Sequence, residues 1–285
     1  MPKVLRASTA GFCMGVDLAL KKLERLLSEQ AESATDIYTL GPIIHNPQVL
    51  AMYAAKGVGQ LGDPEEAVPG SSVVIRAHGV PRYVRHVLRR KGVYLVDATC
   101  PKVKKAQKLI EAHTRERNLL LYGEPDHPEV VGLLSYAQSE TTVFQELSEV
   151  SGCLEQGKRY VLAAQTTQDR SEYTRIHEAL CSRLGEDLPV LDTICDTTRQ
   201  RQQEASDVAD QVELMIVVGG RSSGNTRRLA QVAASHGKPC IHVEEAGELP
   251  LERIRACRVV GLTAGASTPG HVIDEVEQRL IGLEE

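Results

Sequence analysis

The 285-residue chain contains no tryptophan, and aromatic residues make up only 4% of it. Its formal net charge at pH 7 is −5. Proteins that bind nucleic acid usually present a basic surface, and those that bind single strands also use aromatic rings on which bases stack. Because both features are scarce, the composition argues against nucleic-acid binding as the main role.

Long hydrophobic runs are also missing from the sequence. No stretch approaches the ~18 apolar residues that indicate a membrane-spanning helix. The first residues, MPKVLRAS, include neither the apolar region nor the small-residue cleavage site of a signal peptide. Since 42% of the residues are hydrophobic, the chain can still bury a substantial core. We therefore expect a globular protein of the cytoplasm that has no contact with a membrane.

Paired cysteines are missing as well. The seven cysteines are an odd number, and no two of them are spaced C-x-x-C. Neither a disulfide framework nor a zinc ribbon is indicated by such a pattern. The Gly-Lys-Ser/Thr signature of a phosphate-binding P-loop does not occur either.

Three of the cysteines nevertheless occur in the same local pattern. Each of Cys13, Cys100 and Cys195 follows a short strand pattern and precedes a helical one. A thiol at the first turn of a helix meets unpaired N–H groups and the positive end of the helix dipole, and both favour the thiolate. Such a sulfur is suited to be a nucleophile or a metal ligand. Packing is the better interpretation of the other four cysteines.

The three cysteines recur at intervals of about ninety residues, which is the size of a small α/β unit. We predict three such units, over 14–99, 100–194 and 195–285, with strand 1–13 joining the third. Open parallel sheets bind ligands outside the carboxyl ends of their strands. The predicted fold is therefore α/β, with three small α/β units in a pseudo-threefold, three-lobed arrangement around one centre.

Polar residues follow further predicted strands about thirty and about seventy residues after each cysteine. They are His45, His78, His127, Thr166, Ser223 and Ser267. With Asn225 they form a set of donors suited to a polyanion, and the glycines of VVGGRSSGN allow backbone N–H groups to approach a phosphate. Taken singly, each histidine is better explained as a loop residue that bonds to backbone carbonyls, and helix capping explains Ser223 and Asn225 about equally well.

Three converging thiolates suit an iron-sulfur cluster in which one iron has no cysteine ligand. Zinc is the chemical competitor, but zinc sites in small modules usually include a pair of ligands close in sequence, which this chain lacks.

Glu129 is either a surface carboxylate at a helix start or, if it is buried, a proton donor with a raised pKa. The lysines after Cys100, at positions 102, 104 and 105, are interpreted as a solvated helix face.

Nine motifs, in family order, cover the chain from Gly11 to Pro269. They are GFCMGV, GPIIHNP, RAHGV, DATCP, HPEV, AQTT, DTIC, SSGNT and TAGAST. In these motifs the chain resembles the 4-hydroxy-3-methylbut-2-enyl diphosphate reductase (LytB/IspH) family, which catalyses the last step of the methylerythritol phosphate route to isoprenoids.

The resemblance implies a central 4Fe-4S cluster with Cys13, Cys100 and Cys195 as ligands and one open iron, to which the substrate hydroxyl binds. The implied reaction removes the C4 hydroxyl of an allylic diphosphate as water, with two electrons and two protons, and gives isopentenyl and dimethylallyl diphosphate. Reduced ferredoxin or flavodoxin is the implied electron donor, because the chain has no visible nucleotide or flavin motif.

The resemblance also implies roles for the polar residues. Glu129 and His127 relay protons, and Thr166 and Thr167 contact the hydroxyl end of the substrate and its proton network. The backbone of Gly224 replaces a serine that some relatives have. The implied diphosphate ligands are His45, His78, Ser223, Gly224, Asn225 and Ser267.

Two other departures from the family pattern are Thr197, where alanine is common, and Glu124, where histidine is common. They leave room for an altered substrate preference. Two alternative functions stay open at this level: a redox-neutral hydro-lyase or synthase of the quinolinate-synthase type, and a noncatalytic iron-sulfur sensor. The ordered His/Ser/Asn set fits a diphosphate better than a dicarboxylate, and Glu129 favours catalysis over sensing.

Overall fold

The computed structural model of the protein describes residues 2–33, 35–150, 152–185 and 188–282. The strands are β1 Lys3–Arg6, β2 Ile37–Leu40, β3 Gly59–Leu61, β4 Ser72–Ile75, β5 Tyr94–Asp97, β6 Asn118–Tyr122, β7 Thr141–Phe144, β8 Tyr160–Ala164, β9 Leu214–Val218, β10 Cys240–Val243 and β11 Val259–Ala264. The helices are α1 Met14–Glu29, α2 Pro47–Ala55, α3 Arg82–Arg90, α4 Pro101–His113, α5 Pro128–Leu134, α6 Leu147–Val150, α7 Arg170–Leu184, α8 Asp196–Ala209, α9 Gly224–Ser235, α10 Leu251–Arg255 and α11 Gly270–Ile281.

The strands form three separate parallel sheets. Their orders are β1-β11-β9-β10, β3-β2-β4-β5 and β7-β6-β8. All neighbouring strands run parallel, so each pair needs a crossover connection, which the intervening helices supply. The prediction of an α/β fold built from several small parallel sheets is confirmed.

The chain divides into two compact units. The first consists of Met1–Val16, Ile44–Met52 and Asp196–Glu285 and contains the sheet of β1, β9, β10 and β11. The second consists of Asp17–Ile43 and Tyr53–Cys195 and contains the other two sheets.

The strands of each sheet also fall within one of the three predicted units. Strands β2 to β5 lie within 14–99, β6 to β8 within 100–194, and β9 to β11 within 195–285, with β1 in 1–13. The boundaries of the three predicted units remain a prediction.

In the first compact unit, β9 is buried along its whole length because helices cover both faces of its sheet. Leu214, Ile216 and Val218 belong to a cluster with residues of α11. Met215 and Val217 point the other way, into clusters with residues of α8 and α9. A continuous apolar run is thus the expected sequence of this central strand.

In the second compact unit, all of β8 is buried for the same reason. Leu120 and Tyr122 of the neighbouring β6 pack with residues of α7, while Leu119 and Leu121 pack with residues of α4.

The helices of the described residues include none that is long and apolar enough to cross a membrane.

The structure differs from the sequence prediction in the segment before Cys195, where a strand was expected. The segment forms only a single parallel bridge, in which Val190 pairs with Leu162. Beyond the bridge, the hydroxyl of Thr193 accepts the N–H of Ala164 at 2.9 Å and donates to the carbonyl of the same residue at 2.7 Å. Because a side chain takes both backbone bonds, the ladder stops before the cysteine.

Candidate active site

Cys13 lies in the loop between β1 and α1, one residue before the helix begins. Its thiol is free and half-buried, and its backbone N–H donates to the carbonyl of Ala266 at 3.1 Å. The N–H of Val16, in the first turn of α1, donates to the Cys13 sulfur at 3.5 Å. The start of α1 thus directs a backbone N–H at the Cys13 sulfur.

A carboxylate on α8 holds the first part of this loop. Glu204 accepts the backbone N–H of Ser8 at 2.6 Å and that of Thr9 at 2.8 Å, and it also accepts both hydroxyls. Burial opposes ionisation, but the hydrogen bonds from Thr9 and Ser8 outweigh it and lower the pKa of the Glu204 carboxyl. The ionised carboxylate therefore fixes the loop that leads to Cys13.

A buried guanidinium on the same helix holds the second part of the loop. Arg201 donates to the carbonyl of Gly11 at 2.6 Å and to that of Ala264, at the end of β11, at 3.2 Å. Sequence reasoning missed this residue, although Arg201 stands four residues before Ala205 and seven before Val208, on the apolar face of α8. A charge on an apolar face is the signal that could have identified it.

We expect Glu204→Gln to loosen the loop that carries Cys13. An amide cannot accept from all four donors and brings an N–H group towards them, so a loss of about 1.5–3 kcal/mol in the free energy of unfolding is expected. Urea unfolding and the rate at which iodoacetamide alkylates Cys13 measure the two effects. Glu252→Gln, at an 89% exposed side chain on α10, is the control. Unchanged stability together with unchanged alkylation would contradict the view that Glu204 fixes the loop that carries Cys13.

The start of α9 is the second feature of the first compact unit. Ser223 caps this helix, and its hydroxyl oxygen accepts the N–H of Thr226 at 3.3 Å. Asn225 is only 8% exposed, and its Nδ2 atom has no hydrogen-bond partner in the described part of the chain. Free backbone N–H groups at a helix start, together with a buried amide that lacks an acceptor, are suited to an anion.

His45 and Ser267 belong to the same cluster. The hydroxyl of Ser267 donates to the main-chain carbonyl of His45 at 3.1 Å. Gly220, two residues after the end of β9, packs so closely that a Cβ atom built on it would lie 2.7 Å from that carbonyl oxygen. The first compact unit thus brings together His45, Ser223, Gly224, Asn225 and Ser267. The Cys13 loop adjoins this cluster, because the Cys13 N–H donates to the carbonyl of Ala266, which directly precedes Ser267.

Cys100 is the N-cap residue of α4 in the second compact unit. Its side chain makes no capping hydrogen bond, and the thiol is half-buried and forms no disulfide. Its backbone N–H donates to the carbonyl of Ala77 at 2.9 Å, so that the loop after β4, which carries His78, lies beside it. The rings of His78 and His127 meet edge to face, with 5.4 Å between their centroids.

Glu129 is the buried carboxyl of this unit and is only 1% exposed. It accepts the backbone N–H of Thr166 at 2.6 Å and the Thr166 hydroxyl at 2.8 Å. Burial raises the pKa of Glu129 to about 7, although both hydrogen bonds from Thr166 act in the opposite direction. Of the two interpretations that the sequence allowed, the surface carboxylate is therefore wrong.

His127 caps α5, because its Nδ1 atom accepts the N–H of Glu129 at 3.1 Å. A nitrogen that accepts carries no proton, so the neutral ring is protonated at Nε2. The main-chain carbonyl of Thr166, whose N–H and hydroxyl donate to Glu129, accepts the N–H of Cys195 at 3.0 Å. Thr167 follows directly and is half-buried. One chain of contacts thus connects the Cys195 backbone with Thr166, Glu129 and His127.

The other four cysteines have ordinary explanations. The thiols of Cys153 and Cys257 donate to backbone carbonyls at 3.5 and 3.4 Å, and that of Cys181 lies 3.2 Å from a histidine nitrogen. Cys240 packs against apolar residues, and burial raises the pKa of its thiol to about 11. The contacts of Cys181, Cys240 and Cys257 agree with the packing interpretation, but that interpretation is wrong for Cys153, whose side chain is exposed.

The fold and these side chains define a class: an α/β protein whose small parallel sheets present thiols, histidines and one buried carboxyl at the carboxyl ends of their strands. Proteins of this class place ligand chemistry in the loops at that edge. The family model described as LytB protein matches residues 4–281, and the chain belongs to this family. The resemblance that the nine motifs indicated is confirmed, and the family binds an iron-sulfur cluster.

Relatives match over nearly the full length. The 4-hydroxy-3-methylbut-2-enyl diphosphate reductase of Solidesulfovibrio magneticus is 57% identical over 282 residues, covering 98% of this chain and 99% of the relative. That of Treponema denticola is 38% identical, with 98% and 99% covered.

Two solved structures are also similar. One of (E)-4-hydroxy-3-methyl-but-2-enyl diphosphate reductase, the terminal enzyme of the non-mevalonate pathway, is 38% identical, covers 99% of both chains and has a TM-score of 0.70. A reductase structure from Plasmodium falciparum is 23% identical, with 97% and 87% covered and a TM-score of 0.91, and it supports the fold alone.

Proposed function

We propose that the protein catalyses the reductive dehydroxylation of (E)-4-hydroxy-3-methylbut-2-enyl diphosphate to isopentenyl diphosphate and dimethylallyl diphosphate. The observation that carries this proposal is the buried Glu129 carboxyl, held by Thr166 and adjoining the capping His127. A carboxyl with a pKa of about 7 can deliver a proton at neutral pH. The names of the near full-length relatives favour a reductase over the lyase and the sensor.

In this proposal Cys13, Cys100 and Cys195 bind a 4Fe-4S cluster. The three residues fit the group because each is a half-buried cysteine outside any disulfide and next to the first residue of a helix. When bound, the cluster supplies the electrons and one iron that no cysteine occupies. The predicted three-lobed arrangement belongs to the same proposal, since three thiols have to converge on one cluster.

In this proposal the diphosphate is held by polar residues that follow strand ends. Ser223, Asn225 and the backbone N–H of Gly224 lie at the positive end of the α9 dipole. The unpartnered Nδ2 of Asn225 supports this assignment, because a buried donor needs an acceptor. The further anchors are His45, His78 and Ser267.

Protons reach the leaving hydroxyl through the second compact unit. Glu129 is the donor, and Thr166 holds its carboxyl in place through two hydrogen bonds. His127, Thr166 and Thr167 also contact the hydroxyl end of the substrate. Electrons come from reduced ferredoxin or flavodoxin, and the reaction takes place in the cytoplasm.

Anaerobic reconstitution with iron and sulfide, followed by an assay with the hydroxymethylbutenyl diphosphate and a chemical reductant, tests the function. We expect both diphosphate products and oxidation of the reduced cluster that depends on substrate. No reaction from fully reconstituted protein would overturn the proposal, and turnover without any electron input would favour the lyase.

We expect Asn225→Ala to weaken diphosphate binding by about ten- to a hundredfold, because it removes a donor to a charged acceptor, typically ~1.5–3 kcal/mol. Isothermal titration with the substrate and with its free alcohol measures the effect. Asn118→Ala is the control, because that amide donates to the exposed Glu140. Equal affinity of the wild type for the alcohol and the diphosphate would contradict the assignment of a diphosphate-binding site.

A further inference from the structure

The exposed face of α4 is the feature of the second compact unit that the proposed function leaves unused. Lys104, Lys105 and Lys108 line one shallow groove there, together with Pro101 and Leu109. Pro101, the pair Lys104 and Lys105, and the pair Lys108 and Leu109 follow one another at intervals of three or four residues, which is about one helical turn, so they form a single stripe along the helix. The stripe begins at the residue that follows Cys100.

The ion pairs of this face leave it positive. Lys104 pairs with Asp97 at 2.7 Å, but the same carboxylate oxygen also lies 2.9 Å from Arg85. Two cations therefore share one acid, and the local charge of this group is positive.

The second acid of the face is shared in the same way. Asp192 lies 3.0 Å from Lys105 and 3.2 Å from Arg170. Lys108 is exposed and has no ion-pair partner among the described residues. Glu111, a carboxylate further along α4, is already paired with Arg82.

Two carboxylates, Asp97 and Asp192, thus offset only part of the positive charge of five cations, which are Arg85, Lys104, Lys105, Lys108 and Arg170. The lysine face stays positive on a chain whose formal net charge is −5. A local positive surface on an acidic protein attracts an acidic partner over several ångströms and orients it.

We propose that the α4 lysine face is the docking surface for an acidic protein that carries single electrons. This inference rests on the proposed function, because Cys100, which precedes the face, is there a cluster ligand. Electron transfer falls steeply with distance, so a carrier is most effective where its own centre approaches a ligand of the acceptor. A carrier at the start of α4 is only one residue from Cys100.

The reaction requires repeated docking. Each turnover consumes two electrons and two protons, and the substrate hydroxyl leaves as water. A one-electron carrier therefore delivers its electron and departs oxidised, and a second reduced carrier follows. Fast association driven by charge, with little buried surface, suits such a transient contact.

The test compares two reductants on the reconstituted enzyme. Lys108→Glu changes an exposed lysine that has no ion pair, so folding is not at risk, and Lys105→Gln/Lys108→Glu extends the change. At low salt we expect the apparent KM for a reduced acidic ferredoxin to rise about tenfold in the double variant, and the difference to shrink as salt is added. Titration calorimetry with the ferredoxin should show weaker binding by the same factor.

Turnover with reduced methyl viologen, which is small and cationic, should stay unchanged in both variants. Lys21→Glu, at a 73% exposed side chain on α1, is the matched control and should behave as the wild type with both reductants. An unchanged KM for ferredoxin in the double variant, or an equal loss of activity with methyl viologen, would contradict the proposal that the α4 lysine face is the docking surface. No turnover of the wild type with either reductant would instead refute the proposed function.

Discussion

Glu129→Gln is expected to lower turnover by about 10²- to 10⁴-fold, the range that general acid–base catalysis contributes. Glutamine keeps the shape of the side chain and can accept the hydrogen bonds from Thr166, but it has no readily transferred proton. Cluster assembly and substrate binding should therefore survive. An anaerobic spectrum and a product assay on the same sample measure both.

Glu172→Gln is the matched control for this variant. Glu172 also lies in the first turn of its helix, but it is paired with Arg175 near the surface. A carboxylate of that kind contributes only ~0.3–1 kcal/mol through the helix dipole. If Glu129→Gln turned over within a few fold of the wild type, the proton-donor role would move to His127 or to the Thr166/Thr167 pair.

The raised pKa of Glu129 also makes stability depend on pH. The folded state holds the proton up to about pH 7, whereas the unfolded chain releases it near 4.5, so the folded protein binds more protons between these values. The free energy of unfolding should therefore fall by about 3 kcal/mol as the pH rises through this window. Urea unfolding of the wild type against Glu129→Gln isolates this effect, and parallel pH profiles of the two would contradict it.

Cys100→Ser is expected to abolish turnover and to strip iron from the protein. A hydroxyl is a much poorer ligand than a thiolate for the iron of a cluster, and only three cysteines are assigned to it. The same outcome is expected at Cys13 and Cys195. Iron and sulfide analysis, the absorption spectrum and a product assay measure it, while circular dichroism checks the fold.

Cys153→Ser is the control, because its exposed thiol contacts only a backbone carbonyl of its own turn. It should retain iron and activity. A Cys100→Ser protein with a normal cluster and full activity would contradict the ligand assignment.

The fold was predictable where the signal is local. The run LMIVV of β9 is apolar on both faces, and short helical patterns follow each of the three cysteines, so strands and helices could be placed. The segment before Cys195 shows where this reasoning fails. Its apolar pattern suits a strand, but whether Thr193 takes the backbone bonds of Ala164 is decided by a partner 29 residues away.

The sequence allowed the residue types of the site to be predicted, but not their burial or their hydrogen-bond partners. Nothing near Glu129 in the sequence distinguishes a buried carboxyl from a surface one, because its hydrogen-bond partner Thr166 is 37 residues distant. Arg201 was overlooked for a related reason. A guanidinium is usually exposed, and only the carbonyls of Gly11 and Ala264 explain why this one is buried.

The close approach of Gly220 to the His45 carbonyl limits how the proposed anion site can evolve. A single methyl group at position 220 would displace the backbone of His45, and that carbonyl also accepts the Ser267 hydroxyl. One mutation would thus disturb the strand end and two of the proposed anchors together, so natural drift and laboratory selection should leave Gly220 fixed.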